Sequence, residues 1–329
     1  MAAASSSSTL PLGKYLSSTE KSIRDKAIQS LAAFLSEPAN ARMSPGEMAK
    51  LWKGVFYCFW MSDKPLVQQA LASELAGLLL AIDSTDAALG FLEGFWTCIV
   101  REWSGIDRLR IDKYLMLIRR YVNASFRLLA RGGWEAADVE AYNAILMRQG
   151  GPLCPTDPRV PPSLAYHLCD IYLEELEKVL RRQTSEEDED EDRNLAPLPD
   201  LLSPFVSLAA RTPTKATVQR IQDTVLSPLL SALASSLSPS SPTHSDSEED
   251  NEGGRRAKRR KVDDDEYGDI VRGSCASVGG GEGSTGAGAL HAAVMNLVWD
   301  TATKEDARDS NRRRLYTFWK QHRLDDGST

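Results

Sequence analysis

Apolar residues recur every three to four positions along most of the chain, which is the spacing of one face of an α-helix. Across residues 23–35, for example, the apolar side chains fall on one stripe and the charged ones on the opposite side. Ser17 with Glu20, and Ser44 with Glu47, are spaced for a capping box at a helix start. The pattern therefore predicts amphipathic helices that each bury one face.

The apolar stripes and the Pro and Gly stops between them define the candidate helices. They lie at residues 23–35, 48–59, 67–82, 85–103, 108–131, 135–147, 162–182, 198–210, 214–237, 289–302 and 306–324. Leu109 begins the stripe of the 108–131 helix, Pro228 kinks or divides the 214–237 helix, and no convincing strand intervenes. Successive antiparallel helices joined by short loops predict an all-α, HEAT-like helical-repeat array. An irregular helical bundle stays the alternative, because no self-similar repeat is visible.

Composition shifts divide the chain into six predicted segments. Residues 1–13 form a flexible N-terminal tail, 14–182 the core of the helical array, 183–196 an acidic linker and 197–237 a helical pair. Residues 238–288 form a disordered insert, and 289–325 a C-terminal helical pair that docks on the array. The linker holds seven consecutive acidic residues at 186–192 and the insert is rich in Ser, Gly and charge, so neither offers enough apolar surface to offset the entropy cost of ordering.

The net charge of −7 argues against attraction of the whole molecule to nucleic acid, so RNA binding requires a local basic patch. The five cysteines form no C-x-x-C pair, which indicates neither a zinc site nor a disulfide framework and suits a reducing compartment. The most apolar stretch, residues 75–82, is far below the roughly 20 residues that span a bilayer, and the small polar start predicts a tail rather than a signal peptide.

Two kinds of signal lie in the acidic and basic segments. A dense basic run resembles a nuclear localisation signal, which would bind an import receptor, although an RNA contact or simple charge balance would also account for it. Its residues are Arg255, Arg256, Lys258, Arg259, Arg260 and Lys261. Ser185 and Ser247 each precede acidic residues and resemble casein kinase II sites; solubilising charge is the alternative explanation.

The sequence offers little for catalysis. His167 lies near Cys169 and Asp170, but the spacing matches no known nucleophile or metal motif, and a packed core histidine is the simpler interpretation. The glycines at 279–288 lack the Lys and the strand of a phosphate loop. We therefore expect no enzyme activity, no cofactor, no metal and no small-molecule substrate. A nuclease would require Asp, Glu or His clustered on one helical face.

Three stretches closely resemble one family, the nucleolar ribosomal RNA processing protein 1 family. They are WMSDKPLVQQALA at 60–72, FLEGFWTCIVREWSGIDRLRIDKYLMLIRR at 91–120, and AYHLCDIYLEEL at 165–176. The resemblance covers roughly residues 10–182, with weaker likeness in LLSPFVSLAA and NRRRLYTFWKQ. It implies a non-catalytic nucleolar scaffold that is needed for processing of pre-ribosomal RNA spacers within early large-subunit precursors.

The same resemblance, together with a basic and aromatic set near residues 96–131, suggests a binding surface. Its candidate residues are Trp60, Asp63, Lys64, Trp103, Asp107, Arg108, Arg110, Lys113, Arg119 and Arg120. The expected partners are proteins of the pre-large-subunit particle or pre-ribosomal RNA itself, since arginine suits both. Replacing Arg108, Arg110 and Lys113 by Glu is expected to keep the helices and weaken association. A HEAT-type adaptor unconnected with ribosome assembly is the alternative function.

Overall fold

The computed structural model describes residues 12–37, 43–186, 194–237, 267–276 and 286–324, and these are almost entirely helical. The helices are α1 (Leu12–Leu16), α2 (Lys21–Ser36), α3 (Pro45–Trp60), α4 (Pro65–Ala81), α5 (Thr85–Glu102), α6 (Ile111–Arg131), α7 (Ala136–Met147), α8 (Pro162–Glu186), α9 (Leu198–Arg211), α10 (Lys215–Ile221), α11 (Ser227–Ser235), α12 (Gly268–Gly273), α13 (Ala287–Thr303) and α14 (Asp309–His322). A 3₁₀ turn follows α5 at Trp103–Gly105, and a π-helical turn at Gln222–Leu226 separates α10 from α11. The predicted all-α array is confirmed.

Most helices pack chiefly against the helix two positions away in the chain. Thus α3 packs on α1 and α5, α4 on α2 and α6, and the same relation continues through α7, α8 and α9. Odd and even helices therefore form two layers, as in stacked helix-pair arrays whose units bury apolar surface only against their neighbours. Helix α13 packs on α9 and on α14, so the C-terminal hairpin extends the odd-numbered layer.

The start of α3 shows how local sequence fixes a helix end. The Ser44 hydroxyl accepts from the Glu47 backbone N–H at 3.4 Å, and the Glu47 carboxylate accepts from the Ser44 backbone N–H at 3.0 Å. The Ser44 hydroxyl also donates to the Glu47 carboxylate at 2.7 Å, and this bond, with the one from the Ser44 backbone N–H, lowers the pKa of Glu47. The predicted capping box at Ser44 is therefore confirmed. The one predicted at Ser17 is wrong, because that hydroxyl donates to carbonyls of α1, while the N-cap of α2 is Glu20, which makes no side-chain capping bond.

Two buried tyrosines of α6 connect it to α3 and α4 through hydrogen bonds to main-chain carbonyls. Tyr114 donates to the Phe56 carbonyl at 3.0 Å, and Tyr121 donates to the Leu75 carbonyl at 2.8 Å. The Tyr121 ring also stacks on Phe95, with centroids 3.9 Å apart. Because a buried hydroxyl without a partner is costly, each of these bonds fixes how far one helix can slide along another.

Residues 267–276, predicted to be disordered, form α12 and strand β2 (Ser274–Cys275). Strand β2 pairs in parallel with β1 (Ala196–Pro197). Ala196 was predicted to be the last residue of a solvated linker, and no strand was predicted here. Ile270 is fully buried, and the Glu177 carboxylate accepts from the backbone N–H groups of Asp269 and Ile270 at 3.1 and 2.8 Å. These contacts with α8 order a segment too short to show a periodic pattern. Helix α13 also begins within the predicted insert, at Ala287. The remaining residues of the predicted insert, 238–266 and 277–285, lie outside the described residues.

One helix boundary also differs from the prediction. Helix α8 continues to Glu186, one turn beyond the predicted end and into the predicted linker. The predicted 214–237 helix is divided near Pro228, as expected: the π-helical turn ends at Leu226, and Pro228 lies in the first turn of α11. Within the described ranges, no helix is long and apolar enough to cross a bilayer.

Candidate interaction surface between two interhelical turns

Two interhelical turns lie side by side. They are the α3–α4 turn (residues 61–64) and the α5–α6 turn (residues 103–110). The Lys113 ammonium, at the start of α6, donates to the carbonyls of Trp60 and Ser62 at 2.8 and 2.7 Å. The Arg110 guanidinium lies over the Trp60 ring, 4.6 Å from its centroid. We call the surface formed by these turns, together with the exposed first turn of α4, the two-turn surface.

The α5–α6 turn is held by side chains within it. Asp107 accepts from the backbone N–H groups of Leu109 and Arg110 at 2.9 and 3.2 Å, and it forms an ion pair with Arg110. Desolvation raises the pKa of Asp107, but the hydrogen bonds from Arg110 and Leu109 and the Arg110 charge outweigh it, so the pKa is lowered. Trp103 is buried and donates to the Ser163 hydroxyl at 3.0 Å. The turn is therefore rigid enough to present specific side chains.

Lys113 is a structural residue rather than an exposed contact, which differs from the expectation. Its side chain is buried, and its two carbonyl acceptors belong to the end of α3 and the turn after it. The last carbonyls of a helix have no partner within the helix, so a buried ammonium there satisfies groups that water would otherwise solvate. Desolvation and the neighbouring Arg110 charge lower the pKa of Lys113 to about 8.

This pKa predicts a pH dependence of stability. The folded-state pKa is depressed below the ordinary lysine value of 10.5, so the folded protein binds fewer protons than the unfolded chain between the two values. The contribution of Lys113 to the free energy of unfolding should therefore rise from about pH 8 to above pH 10. Urea midpoints of wild type and Lys113→Met at pH 7 and pH ~10.5 measure it. A stability difference between the two proteins that stays constant with pH would contradict the assignment.

The exposed apolar residues of the two-turn surface were not predicted. Leu109 is 91% exposed and Leu66 is 80% exposed, while Met61 is partly exposed. Leu109 was expected on the buried stripe of a helix starting at residue 108, but α6 begins at Ile111 and Leu109 lies in the turn. The sequence did hold one indication of an exposed leucine, because Leu66 is not part of the apolar stripe of α4. Exposed apolar surface that is rimmed by polar residues is typical of protein contacts.

The remaining candidate residues divide between exposed and paired positions. Asp63, Lys64 and Arg108 are exposed on the two-turn surface. Arg119 lies further along α6 and pairs with Glu174 and Glu175 of α8 at 2.6 and 3.1 Å. Arg120 is exposed on α6. The structure thus groups Trp60, Asp63, Lys64, Asp107, Arg108 and Arg110 at the two turns, and it uses Arg119 to join α6 to α8.

The described part of the chain offers no cluster of His, Cys, Asp or Glu that could hold a metal ion. His167 makes a 2.9 Å hydrogen bond between its Nε2 and the Leu115 carbonyl, and burial lowers its pKa, as suits a packed histidine between α8 and α6. Ser185 lies in the last turn of α8. Ser247 and the basic run at 255–261 lie outside the described residues.

Comparison with known proteins identifies the family of the chain. Human ribosomal RNA processing protein 1 homolog B is 38% identical over 224 residues, which are 67% of this chain and 28% of that protein. Human homolog A is 31% identical over 327 residues, 93% of this chain and 68% of that protein. The Drosophila melanogaster homolog is 35% identical over 133 residues, 40% of this chain and 19% of that protein. The chain thus spans less than a third of the length of human homolog B. The family model described as nucleolar protein Nop52 matches residues 7–318, and the chain therefore belongs to the Nop52 family.

Proposed function

We propose that this chain is a non-catalytic nucleolar scaffold in biogenesis of the large ribosomal subunit, needed for processing of pre-ribosomal RNA spacers within early pre-large-subunit particles. Membership of the Nop52 family supports this role, and so do relatives that are named for ribosomal RNA processing. A two-layer helical array suits a scaffold, because it offers an extended surface whose shape does not depend on a ligand.

The single observation that carries the proposed mode of action is the two-turn surface. Leu109, in the α5–α6 turn, and Leu66, in the first turn of α4, are largely exposed, and Asp107, Arg110 and Lys113 hold the two turns beside them in place. Exposing large apolar side chains to water is unfavourable, and their burial by a partner would contribute binding free energy of about 1.5–3 kcal/mol each. We infer that a protein of the pre-large-subunit particle buries them.

The charges of the two-turn surface favour a protein over direct pre-ribosomal RNA contact at this place. Arg110 is paired with Asp107 and lies on Trp60, and Lys113 is buried. Among the described cations of the two turns, Lys64 and Arg108 are exposed, and each follows an aspartate in the sequence, Asp63 and Asp107 respectively. This mixed charge suits the polar rim of a protein interface better than a phosphate backbone.

Replacing Leu66 and Leu109 together by serine should separate binding from folding. Both side chains are exposed, so the free energy of unfolding should change by less than about 0.5 kcal/mol each. Association with the particle should fall about tenfold or more, as when interface anchors are truncated. The measurement is affinity purification of the tagged protein from its native cells, gradient sedimentation, and probing of the RNA for spacer-containing precursors. Leu237→Ser, at a 45% exposed leucine elsewhere, is the matched control.

Three outcomes are informative. Wild-type protein that stays at the top of the gradient without precursor RNA would overturn the proposed function and favour a HEAT-type adaptor unconnected with ribosome assembly. Wild type that sediments with precursors while the double variant does so equally would leave the function standing and remove the two-turn surface from it. RNA cleavage by the purified protein with a divalent metal would show an enzyme instead of a scaffold.

A further inference from the structure

The C-terminal hairpin of α13 and α14 carries a cluster of three aromatic side chains away from the two-turn surface. Trp299 of α13 contacts Tyr316 and Trp319 of α14, with ring centroids 4.9 and 4.8 Å apart. Trp299 is 39% exposed, and the other two rings are half-buried. The buried face of α14 is formed by other residues, chiefly Leu315 and Phe318. The three rings therefore lie on a flank of the hairpin that solvent reaches.

Cations surround this aromatic flank. Arg313, Lys320 and Arg323 are exposed. Each lies three or four residues from Tyr316 or Trp319, which places it beside that ring on the helix surface. The Arg323 guanidinium lies over the Trp319 ring, 5.6 Å from its centroid. Partly exposed aromatic rings and cations thus share one surface, which we call the aromatic-basic surface.

Neighbouring groups leave these cations available. Asp309 pairs with Arg312, and Asp306 pairs with Arg211 of α9, so two carboxylates of the hairpin are already neutralised. Arg312 also donates to three carbonyls around the end of α13, which makes it structural. Arg313, by contrast, forms no ion pair with any residue of the described ranges.

A second feature extends the surface on the other side of Arg313. A groove of about 390 Å³ runs between α14 and the π-helical turn at Gln222–Leu226. Arg313, Arg314, Thr317 and Gln321 line it together with Gln222 and Asp223 of the turn. The Asp223 carboxylate accepts a hydrogen bond from the Gln219 amide at 2.8 Å, and the two arginines outnumber it. Guanidinium, hydroxyl and amide groups are hydrogen-bond donors that suit phosphate and sugar oxygens.

We propose that the aromatic-basic surface binds single-stranded RNA. Unpaired bases stack on exposed aromatic rings, while a phosphate backbone is attracted by arginine and lysine beside them, and both components are present here. A duplex keeps its bases stacked inside, so it would use the cations alone. An acidic peptide likewise would use the cations and leave the rings without a stacking partner. The inference rests on this hairpin and does not depend on the proposed function.

The test measures fluorescence anisotropy of a labelled oligouridine of about twelve nucleotides with the full chain. Trp299→Ala should weaken binding about tenfold, and Trp299→Phe should keep most of it, because a smaller ring still stacks. Arg313→Gln with Lys320→Gln should also weaken binding and reduce the salt slope by about 1.4, as expected for two lost phosphate contacts. The loss in Trp299→Ala should persist at high salt.

Matched controls separate this surface from the rest of the chain. Tyr15→Ala removes an aromatic ring that is 47% exposed on α1, and Arg127→Gln with Lys53→Gln removes two exposed cations on α6 and α3. These variants should bind the oligouridine like wild type. The basic run at 255–261 is present in every protein compared, so its contribution cancels. Circular dichroism establishes whether each variant is folded. If Trp299→Ala unfolds, the variant with Arg313→Gln and Lys320→Gln, in which every packed ring is kept, tests RNA binding by this surface.

Each contrary result overturns the proposal. Unchanged oligouridine binding by both the Trp299→Ala and the Arg313 and Lys320 variants would show that RNA binds elsewhere. Equal affinity for a duplex of the same length would show that the rings take no part. A labelled polyglutamate peptide that binds as tightly as the RNA, and competes with it, would identify an acidic protein segment as the ligand.

Discussion

Replacing Lys113 by glutamate is expected to destabilise the fold by about 3–5 kcal/mol, the usual cost of leaving a buried charge without a compensating partner. The ammonium donates to the carbonyls of Trp60 and Ser62, and its side chain is only 5% exposed. A carboxylate at this position would face two carbonyl oxygens, and because all of these groups are hydrogen-bond acceptors they would repel one another. Urea unfolding followed by circular dichroism measures the change as a lower midpoint with an unchanged slope.

Arg108→Glu provides the matched control, because it makes the same charge reversal on an exposed side chain of the neighbouring turn. Its effect on the free energy of unfolding should stay within about 0.5 kcal/mol. If Lys113→Glu also unfolds at the wild-type midpoint, the capping role of Lys113 is refuted. The triple replacement of Arg108, Arg110 and Lys113 by Glu, expected from the sequence to keep the helices, should instead lose the fold, so it does not test association.

Truncating Trp52 to alanine should cost about 3–5 kcal/mol, as for other large buried aromatic residues. The ring is 2% exposed and contacts Phe91, Phe95 and Tyr121, with centroids 4.5, 5.5 and 5.7 Å away. Its indole N–H donates to the Phe91 carbonyl at 3.1 Å. Trp52 thereby joins α3 to α5 and to α6, and its loss would leave a cavity between the two layers. Thermal and urea unfolding measure the loss.

Gly94 of α5, which packs against the Trp52 ring, gives an independent check of how tightly this ring is packed. A Cβ atom at Gly94 would lie 2.4 Å from two atoms of the Trp52 ring, whereas one at Gly90, a turn earlier in α5, would meet nothing within 4 Å. Gly94→Ala should therefore destabilise by about 1–3 kcal/mol, and Gly90→Ala should stabilise by about 0.5–1 kcal/mol. Equal effects of the two substitutions would show that the Trp52 contact is not as tight as the structure has it.

Local patterns in the sequence were sufficient for the helices themselves. The stripe on 23–35 and the capping box at Ser44 depend on residues three or four positions apart, so they can be read without knowing what lies across the core. The same is true of the all-α class. The family resemblance rests on segments such as IDKYLMLIRR, and the family match confirms it.

The burial of the candidate binding residues was predicted less well, because composition and spacing do not say which side of a turn is buried. Leucine is usually buried and lysine is usually exposed, yet Leu109 is 91% exposed and Lys113 is 5% exposed. Leu109 is exposed because it lies in the α5–α6 turn, whereas the buried apolar face of α6 begins only after Ile111. Nothing within a few residues of Lys113 indicates that carbonyls more than 50 positions earlier will accept its hydrogen bonds.

The amino-acid sequence by itself thus determined the helical class, most helix positions and the family, since these follow from periodicity, capping and resemblance. Only the tertiary structure decided which charges are buried, which leucines are exposed, and that residues 267–276 are folded. Ile270 and Glu177 illustrate the reason. Neither residue is informative alone, because the two are 93 residues apart in the sequence. Packing brings them together, and the Glu177 carboxylate then accepts from two backbone N–H groups and orders the short segment.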